Sequence, residues 1–205
     1  LDHFRAFADY WEVPAGEETA RNGEWKPGPG ADFFKAIETA LGYLPFVAED
    51  LGEINEPVLQ LRDQFHLPGM KVLQFAFGSD MPRSDYIPHN YGQNFFVYTG
   101  THDNNTIRGW FNRDIDDATR HRLERYVGRP LSAAEIHIEL GRMAYASVAK
   151  TAILPLQDVL ALDEQARMNI PASGEANWAC RLLPGQLTAR DEDRLRQWTI
   201  LYNRE

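Results

Sequence analysis

The sequence predicts an α/β fold, and within that class part of a (β/α)8 barrel. Short apolar runs alternate with helical patterns, which is typical of a parallel sheet with helical crossovers. The glycine-rich phosphate loop that usually follows the first strand of an open doubly wound sheet does not occur in this sequence. Long loops follow several of the predicted strands, as they do at the catalytic face of a barrel.

Five apolar segments are predicted to be strands, because each is short and ends in polar or turn-forming residues. They are residues 1–4, 45–48, 71–77, 95–101 and 152–156. Five strands make only the second half of an eight-stranded barrel. The chain also opens inside a predicted strand, so we expect the N-terminal half of the barrel to be absent. On this interpretation residues 1–205 are the C-terminal part of a single catalytic domain.

Helical patterns separate these strands, and several have recognisable ends. Asp32 is predicted to cap a helix that stops at Gly42. Asn55 is predicted to cap a second helix, with Pro57 in its first turn, and Thr188 a final one. Other helical patterns cover residues 105–113, 116–127 and 132–150.

Two long segments, 5–31 and 78–94, are predicted to be irregular loops, and long loops in compact domains are often functional. Sugar-binding clefts use exposed aromatic rings, because the apolar face of a sugar stacks on a ring. Trp11, Trp25 and Trp110 lie in loop-like or helix-start contexts and are the tryptophans predicted to line a cleft. Most other aromatic residues are expected to pack in the core.

The amino-acid composition argues against several classes of function. The chain has 30 acidic and 21 basic residues and a formal net charge of −9, which argues against a nucleic-acid groove and against an anionic membrane surface. Cys180 is its only cysteine, so an intrachain disulfide is excluded and a reducing, cytoplasmic location is expected. No apolar run is long enough to span a membrane.

Three acids, Asp2, Glu49 and Asp103, each lie at the C-terminal end of a predicted strand. The mouth of a barrel gathers residues from the ends of different strands, so these three carboxylates are expected to meet there. Retaining cleavage of a glycosidic bond needs one carboxylate as nucleophile and a second carboxyl group as proton donor. A third acid can hold sugar hydroxyls while the ring flattens.

Each acid also has a purely structural interpretation: a hydrogen-bonded Asp2–His3 pair, a helix cap at Glu49, or a turn rich in capping residues around Asp103. A metal site is a further alternative, because Asp2, His3, His89, His102 and Asp103 supply suitable ligand types. No helical histidine spacing accompanies them, and this alternative would leave Glu49 without a role.

The motifs around the three acids resemble those of the 4-α-glucanotransferases of glycoside hydrolase family 77. The three segments are Asp2-His3-Phe4-Arg5, Ala48-Glu49-Asp50-Leu51-Gly52 and Thr99-Gly100-Thr101-His102-Asp103-Asn104. The resemblance extends, in family order, to residues 10–20, 23–25, 88–91, 155–158, 167–169 and 177–178. One departure is Ala172, which stands where the family usually has glycine.

The resemblance implies a barrel of the α-amylase type that this chain enters at its fourth strand. It implies Asp2 as nucleophile, Glu49 as general acid/base and Asp103 as the acid that stabilises the transition state. It further implies sugar contacts for four residues: His3, His102, Asp50 and Asn169. No metal and no cofactor is expected.

The reaction that the resemblance implies is transfer of an α-1,4-glucan segment to the 4-hydroxyl of another glucan. The expected partners are malto-oligosaccharides and glucans derived from starch or glycogen, with no nucleic acid or membrane. Two alternatives remain open at this point: an α-glucan hydrolase of the same clan, and an inactive glucan-binding fragment.

Overall fold

The computed structural model describes residues 1–174 and 177–204. The chain is divided into two compact units. The first consists of Leu1–Met70 and Asn94–Phe96, and the second contains the rest of the described residues. The described strands are β1 (Asp9–Glu12), β2 (Glu24–Pro27), β3 (Gly69–Val72), β4 (Phe95–Tyr98) and β5 (Thr151–Ile153). The described α-helices are α1 (Gly30–Leu41), α2 (Glu56–Gln64), α3 (Ile107–Gly109), α4 (Asp117–Val127), α5 (Ile136–Ala146), α6 (Leu156–Val159) and α7 (Ala189–Leu201).

The first unit is built on an aromatic core. Phe34 of α1 packs its ring 5.8 Å from that of Phe4 and 5.1 Å from that of Phe65. Burying aromatic rings removes large apolar areas from water and so contributes to the folding of this small unit. The fully or nearly buried members of this core are Phe4, Phe34, Ala48, Val58, Leu61 and Leu67.

The helix ends of the first unit confirm two of the predicted signals. Asn55 caps α2, since its side chain accepts a hydrogen bond from the Val58 N–H at 3.3 Å. Gly42 ends α1 in the left-handed conformation at φ 77°. The predicted cap at Asp32 is wrong, because α1 already begins at Gly30 and Asp32 lies in its first turn.

The loop predicted over residues 5–31 contains a β-hairpin. Strands β1 and β2 pair antiparallel, with Trp11 opposite Trp25 and Tyr10 opposite Lys26. The abundant glycine and proline of this segment indicate turns, but cross-strand pairing is what stabilises a hairpin, and such pairs are not visible from one strand alone.

The second unit packs short helices around a core of Phe77, Ile107, Phe111, Leu123, Ile136 and Leu140, all of them buried. The cap predicted at Thr188 is confirmed: α7 begins directly after Thr188, whose backbone N–H donates to Asp191 Oδ2 at 3.2 Å and whose Oγ1 donates to the same oxygen at 2.7 Å. The helix predicted over 105–113 is instead one short turn, α3, which continues as a π-helix over Trp110–Asp114.

Strands β3, β4 and β5 form a sheet in that order. They are shorter than predicted, because the chain turns into a 3-10 helix at Leu73–Phe75 after β3 and into loops after β4 and β5. Residues 1–4 and 45–48 are not assigned as strands. Their backbone is nevertheless paired, because the Glu49 N–H donates to the Leu1 carbonyl at 2.9 Å and the Ala48 N–H to the Pro68 carbonyl at 2.8 Å. Among the described residues, no helix has the length and apolar character that crossing a membrane requires.

Candidate active site

In the first unit, the segment that carries Asp2 and His3 lies directly beside Glu49. The Phe4 N–H donates to the Glu49 carbonyl at 3.0 Å, and the Glu49 N–H donates to the Leu1 carbonyl at 2.9 Å. Phe4 and Ala48, the neighbours of the site residues along the chain, are fully buried. The core therefore fixes both segments and brings Asp2, His3 and Glu49 together.

The Glu49 side chain is held by two backbone donors. Its Oε2 accepts from the His3 N–H at 2.8 Å and its Oε1 from the Leu51 N–H at 3.2 Å. Burial raises the pKa of Glu49 above its usual range, and the negative charge of Asp2 raises it further, although the two N–H donors oppose this shift. A carboxyl group that keeps its proton to a higher pH is suited to act as a general acid.

His3 adopts an unusual backbone conformation for a residue with a side chain. Its φ and ψ are 44° and 58°, in the left-handed region. This conformation costs a non-glycine residue about 1–2 kcal/mol. The turn directs the His3 N–H at the Glu49 carboxylate, so local strain accompanies a contact to a predicted catalytic residue.

Asp50 has partners inside the protein. Its Oδ2 accepts from Arg62 Nη1 at 2.5 Å and its Oδ1 from the Met70 N–H at 2.7 Å. Its side chain is only 4% exposed. A Cβ at Gly69 would collide with the same carboxylate, which explains glycine at that position. This geometry favours a role in supporting the Glu49 segment over the direct sugar contact that the sequence predicts for Asp50.

In the second unit, the other predicted site residues form their own cluster around Asp103. Asn169 Nδ2 donates to Asp103 Oδ1 at 2.6 Å, and His102 Nε2 lies 3.4 Å from the same oxygen. The backbone is held as well, because Arg167 Nη2 donates to the Asp103 carbonyl at 2.6 Å and the Asn169 N–H to the His102 carbonyl at 3.0 Å. His102, Asp103 and Asn169 are therefore together, and Arg167 joins them.

The loop after Asn169 places an aromatic ring beside this cluster. The Trp178 ring lies 5.2 Å from that of His102, and the Trp178 side chain is well exposed. Asn177 stabilises the loop by accepting from the Ile170 N–H at 2.9 Å and donating to the Ser173 carbonyl at 2.8 Å. Ala172 has φ 63°, which explains why glycine would suit the position where this chain departs from the family.

The tryptophans predicted to line a cleft divide into two groups. Trp11 and Trp25 are 40% and 50% exposed and meet edge to face on the hairpin at 5.4 Å. Trp110 is only 6% exposed and packs on Phe77, so its prediction as a cleft residue is wrong. Its place at the start of the π-helix turns the ring into the core of the second unit.

Two buried polar residues of the second unit were not among the predicted site residues. The Asp158 carboxylate accepts from Thr99 Oγ1 at 2.6 Å and from the Ile107 N–H at 2.8 Å. Gln74 Nε2 donates to the Asn105 carbonyl at 2.8 Å. Both support the segment that carries His102 and Asp103. Their partners lie 31 to 59 residues away along the chain, so the sequence does not show these contacts. The available signals were a polar residue next to an apolar run and, for Asp158, its place in the family-like segment 155–158.

The metal-site alternative has little support in the geometry. Within residues 1–174 and 177–204, no three His, Cys, Asp or Glu side chains are grouped so that they could hold a metal ion. His89, one of the proposed ligands, stacks on Tyr126 with ring centroids 5.7 Å apart.

Comparisons with known proteins agree with the sequence motifs. A sequence profile described as 4-alpha-glucanotransferase matches residues 1–187. A 4-alpha-glucanotransferase of Synechocystis sp. is 49% identical over 206 residues, and one of Streptococcus pneumoniae serotype 4 is 46% identical over 204 residues. Each alignment covers 100% of this chain and 40% of the relative, so the chain spans about two fifths of their length.

A solved structure gives the same result. The amylomaltase from Streptococcus agalactiae in complex with acarbose superposes with a TM-score of 0.93 at 39% sequence identity. The match covers 99% of this chain and 41% of that one. The described fold is therefore that of a portion of an amylomaltase, an enzyme built on a (β/α)8 barrel.

Proposed function

Because the chain belongs to the 4-α-glucanotransferase family, glycoside hydrolase family 77, we propose that the complete protein carrying it transfers α-1,4-glucan segments between malto-oligosaccharides. Glucans derived from starch or glycogen are the corresponding polymeric substrates. In this proposal the chain is the second half of the catalytic barrel, beginning at the fourth strand. The observation that carries the proposal is the Glu49 carboxyl, which is half-buried, held by two backbone N–H groups, and adjacent to Asp2.

The first step uses the two carboxyl groups of the first unit. An Asp2 oxygen attacks the anomeric carbon of the donor glucan, and the bond from that carbon to the leaving 4-oxygen breaks. Glu49 gives its proton to that oxygen, so the leaving glucan departs as a neutral alcohol and the glycosyl group stays on Asp2. The raised pKa of Glu49 supports the role of proton donor.

The second step reverses the first with a different alcohol. The 4-hydroxyl of an acceptor glucan gives its proton to the Glu49 carboxylate and attacks the anomeric carbon, and the bond to Asp2 breaks. The configuration at the anomeric carbon is retained because it is inverted twice. Water in place of the acceptor would give hydrolysis, so the two activities share one intermediate.

The residues of the second unit are suited to hold the sugar while its ring flattens. Asn169 and His102 both contact Asp103 Oδ1. This arrangement fixes the Asp103 carboxylate in one orientation, as preorganised stabilisation of a transition state requires. We assign sugar contacts to His3, His102 and Asn169. Asp50 was also predicted to contact sugar, and its buried position makes that assignment the first to test.

The activity is tested by incubating the complete protein with maltotriose. Transfer gives a ladder of longer oligosaccharides, whereas hydrolysis gives mainly glucose and maltose. A product mixture without longer oligosaccharides would overturn the transferase proposal and favour the hydrolase alternative.

The roles of the carboxylates are tested by two substitutions with matched controls. Asp2→Ala is expected to abolish the covalent intermediate, while Asp32→Ala, at a side chain that is 92% exposed, is expected to leave it unchanged. Glu49→Gln should slow transfer from maltotriose far more than transfer from a glucosyl fluoride, which needs little protonation. Glu38→Gln, on the exposed face of α1, is the control. Equal losses with both donors would remove Glu49 from the acid/base role.

A further inference from the structure

Asp158 is a buried carboxylate for which the proposed chemistry has no use. It lies in α6 of the second unit and is only 4% exposed. Burial raises its pKa to about 6, although the hydrogen bonds from Thr99 and Ile107 act in the opposite direction. A buried ionisable group destabilises a fold unless its partners compensate, so its position in this structure calls for an explanation.

The two partners of Asp158 bracket the segment that carries His102 and Asp103. Thr99, directly after β4, donates its hydroxyl to Asp158 Oδ2 at 2.6 Å. Ile107, the first residue of α3, donates its backbone N–H to Asp158 Oδ1 at 2.8 Å. One carboxylate thus ties together both ends of residues 100–106. Thr99 is itself fully buried, so this connection is protected from water.

Residues 100–106 are not closely packed on every side. A cavity of about 130 Å³ lies beside it, lined in part by Thr101, His102, Asn105, Gln157, Asp158 and Arg167. Side chains that border a cavity lack packing partners on one side. Directional hydrogen bonds therefore add to packing in fixing residues 100–106. Asp158 supplies them at the two ends, and Asn169 and Arg167 supply them at His102 and Asp103.

We propose that Asp158 is a positioning residue: through Thr99 and Ile107 it holds the segment 100–106 in the conformation that presents His102 and Asp103 to the sugar. It does not touch the substrate itself. This inference rests on the proposed transferase function, because it concerns the alignment of the residue assigned to transition-state stabilisation. A displacement of about 1 Å in such a residue can lower a rate by roughly 10²-fold.

Two substitutions at Asp158 separate the loss of its charge from the loss of its hydrogen bonds. In Asp158→Asn, the oxygen of the new amide can still accept from the Ile107 N–H, and its nitrogen can donate to the Thr99 hydroxyl, which is able to accept. Asp158→Asn should therefore retain kcat within about threefold of the wild type, while Asp158→Ala, which loses both bonds, should lower kcat by roughly 10²-fold with little change in KM for maltotriose. Thr99→Val, which loses one bond, should fall between them.

The control is a variant that is destabilised in the same unit by a change outside residues 99–107. Leu140→Ala removes a fully buried side chain from α5, so it should lower the melting temperature and leave kcat at 25 °C near the wild-type value. Measurements use the complete protein with maltotriose. A wild type without transfer activity would refute the proposed function. An active wild type in which Asp158→Ala behaves like Leu140→Ala would refute the positioning role alone.

The positioning role of Asp158 can still be tested if one variant fails to fold. If Asp158→Ala does not fold, Thr99→Val is compared with Leu140→Ala, each assayed equally far below its own melting temperature. A lower kcat in Thr99→Val supports the inference, and equal kcat values overturn it. An Asp158→Asn variant as inactive as the alanine variant would also overturn it, because the hydrogen bonds that define the positioning role would then be insufficient.

Discussion

Replacing Asp50 tests whether this residue contacts sugar or supports the Glu49 segment. The Asp50 side chain is 4% exposed and that of Arg62 11%, so their contact at 2.5 Å is a largely buried ion pair. Asp50→Ala removes the carboxylate from both Arg62 and the Met70 N–H. We expect the loss to appear in the free energy of unfolding, because both partners are left without their acceptor.

The magnitude follows from the contacts. Removing one partner of a buried ion pair costs about 3–5 kcal/mol. Arg62 keeps a second contact, to Asp63 at 2.7 Å, and the Asp63 side chain is mostly exposed. This remaining partner offsets part of the cost, so we expect about 3 kcal/mol for Asp50→Ala. Asp50→Asn retains an acceptor for the Met70 N–H and should cost about 1–2 kcal/mol.

Urea unfolding of the complete protein measures this difference, and the same chain offers a matched control. Asp63→Ala removes the exposed partner of the same guanidinium, and such contacts contribute about 0–1 kcal/mol. Steady-state kinetics with maltotriose are recorded in parallel. If Asp50→Ala unfolds at the same urea concentration as the control while its KM rises sharply, Asp50 contacts sugar and the supporting role is wrong.

Three further predictions concern the backbone at His3, the charge of Asp158 and the chain as a whole. His3→Gly should be more stable than His3→Ala by roughly 0.5–1 kcal/mol in urea, because glycine adopts the left-handed conformation without strain; the opposite order would contradict the φ of 44°. The stability of the wild type relative to Asp158→Asn should fall by about 2 kcal/mol as pH rises from 4 to 7, because the folded protein binds the Asp158 proton up to about pH 6 and the unfolded chain releases it near 4. An equal stability difference between the two proteins at both pH values would refute this. Residues 1–205 expressed alone should be poorly folded and inactive, because a portion of a barrel leaves open sheet edges. A cooperative melt with measurable transfer would show the reverse.

Signals that act within a few residues are predictable from the sequence. Asn55 and Thr188 cap the helices that follow them, and Gly42 ends α1. A cap needs only a short polar side chain and the first backbone N–H groups of the helix, so the sequence contains the whole interaction. The Asp32 prediction failed for a related reason: a good capping residue inside a first turn looks the same in sequence as one just before it.

Features that depend on distant partners were not predicted. The hairpin of β1 and β2 needs the Trp11–Trp25 pair, and β3 and β4 end earlier than their apolar runs do. The structural roles of Asp158 and Gln74 depend on hydrogen-bond partners that lie far away along the chain. For the acids, neighbouring motifs indicated Asp2, Glu49 and Asp103, but the pattern that marked Asp50 as a sugar contact could not reveal its burial against Arg62.

At His3 the backbone conformation predicted from the local sequence differs from the one that the tertiary structure imposes. The apolar pattern of residues 1–4 predicts a strand, and a strand would turn the His3 N–H away from its observed direction. The structure instead bends the chain at His3 into a left-handed conformation, and that N–H donates to Glu49 Oε2 at 2.8 Å. The same donor opposes the rise in the Glu49 pKa that burial causes. The strained turn therefore contributes both to the orientation of the proton donor and to the pH at which it loses its proton, and a change that relaxes the turn should alter both together.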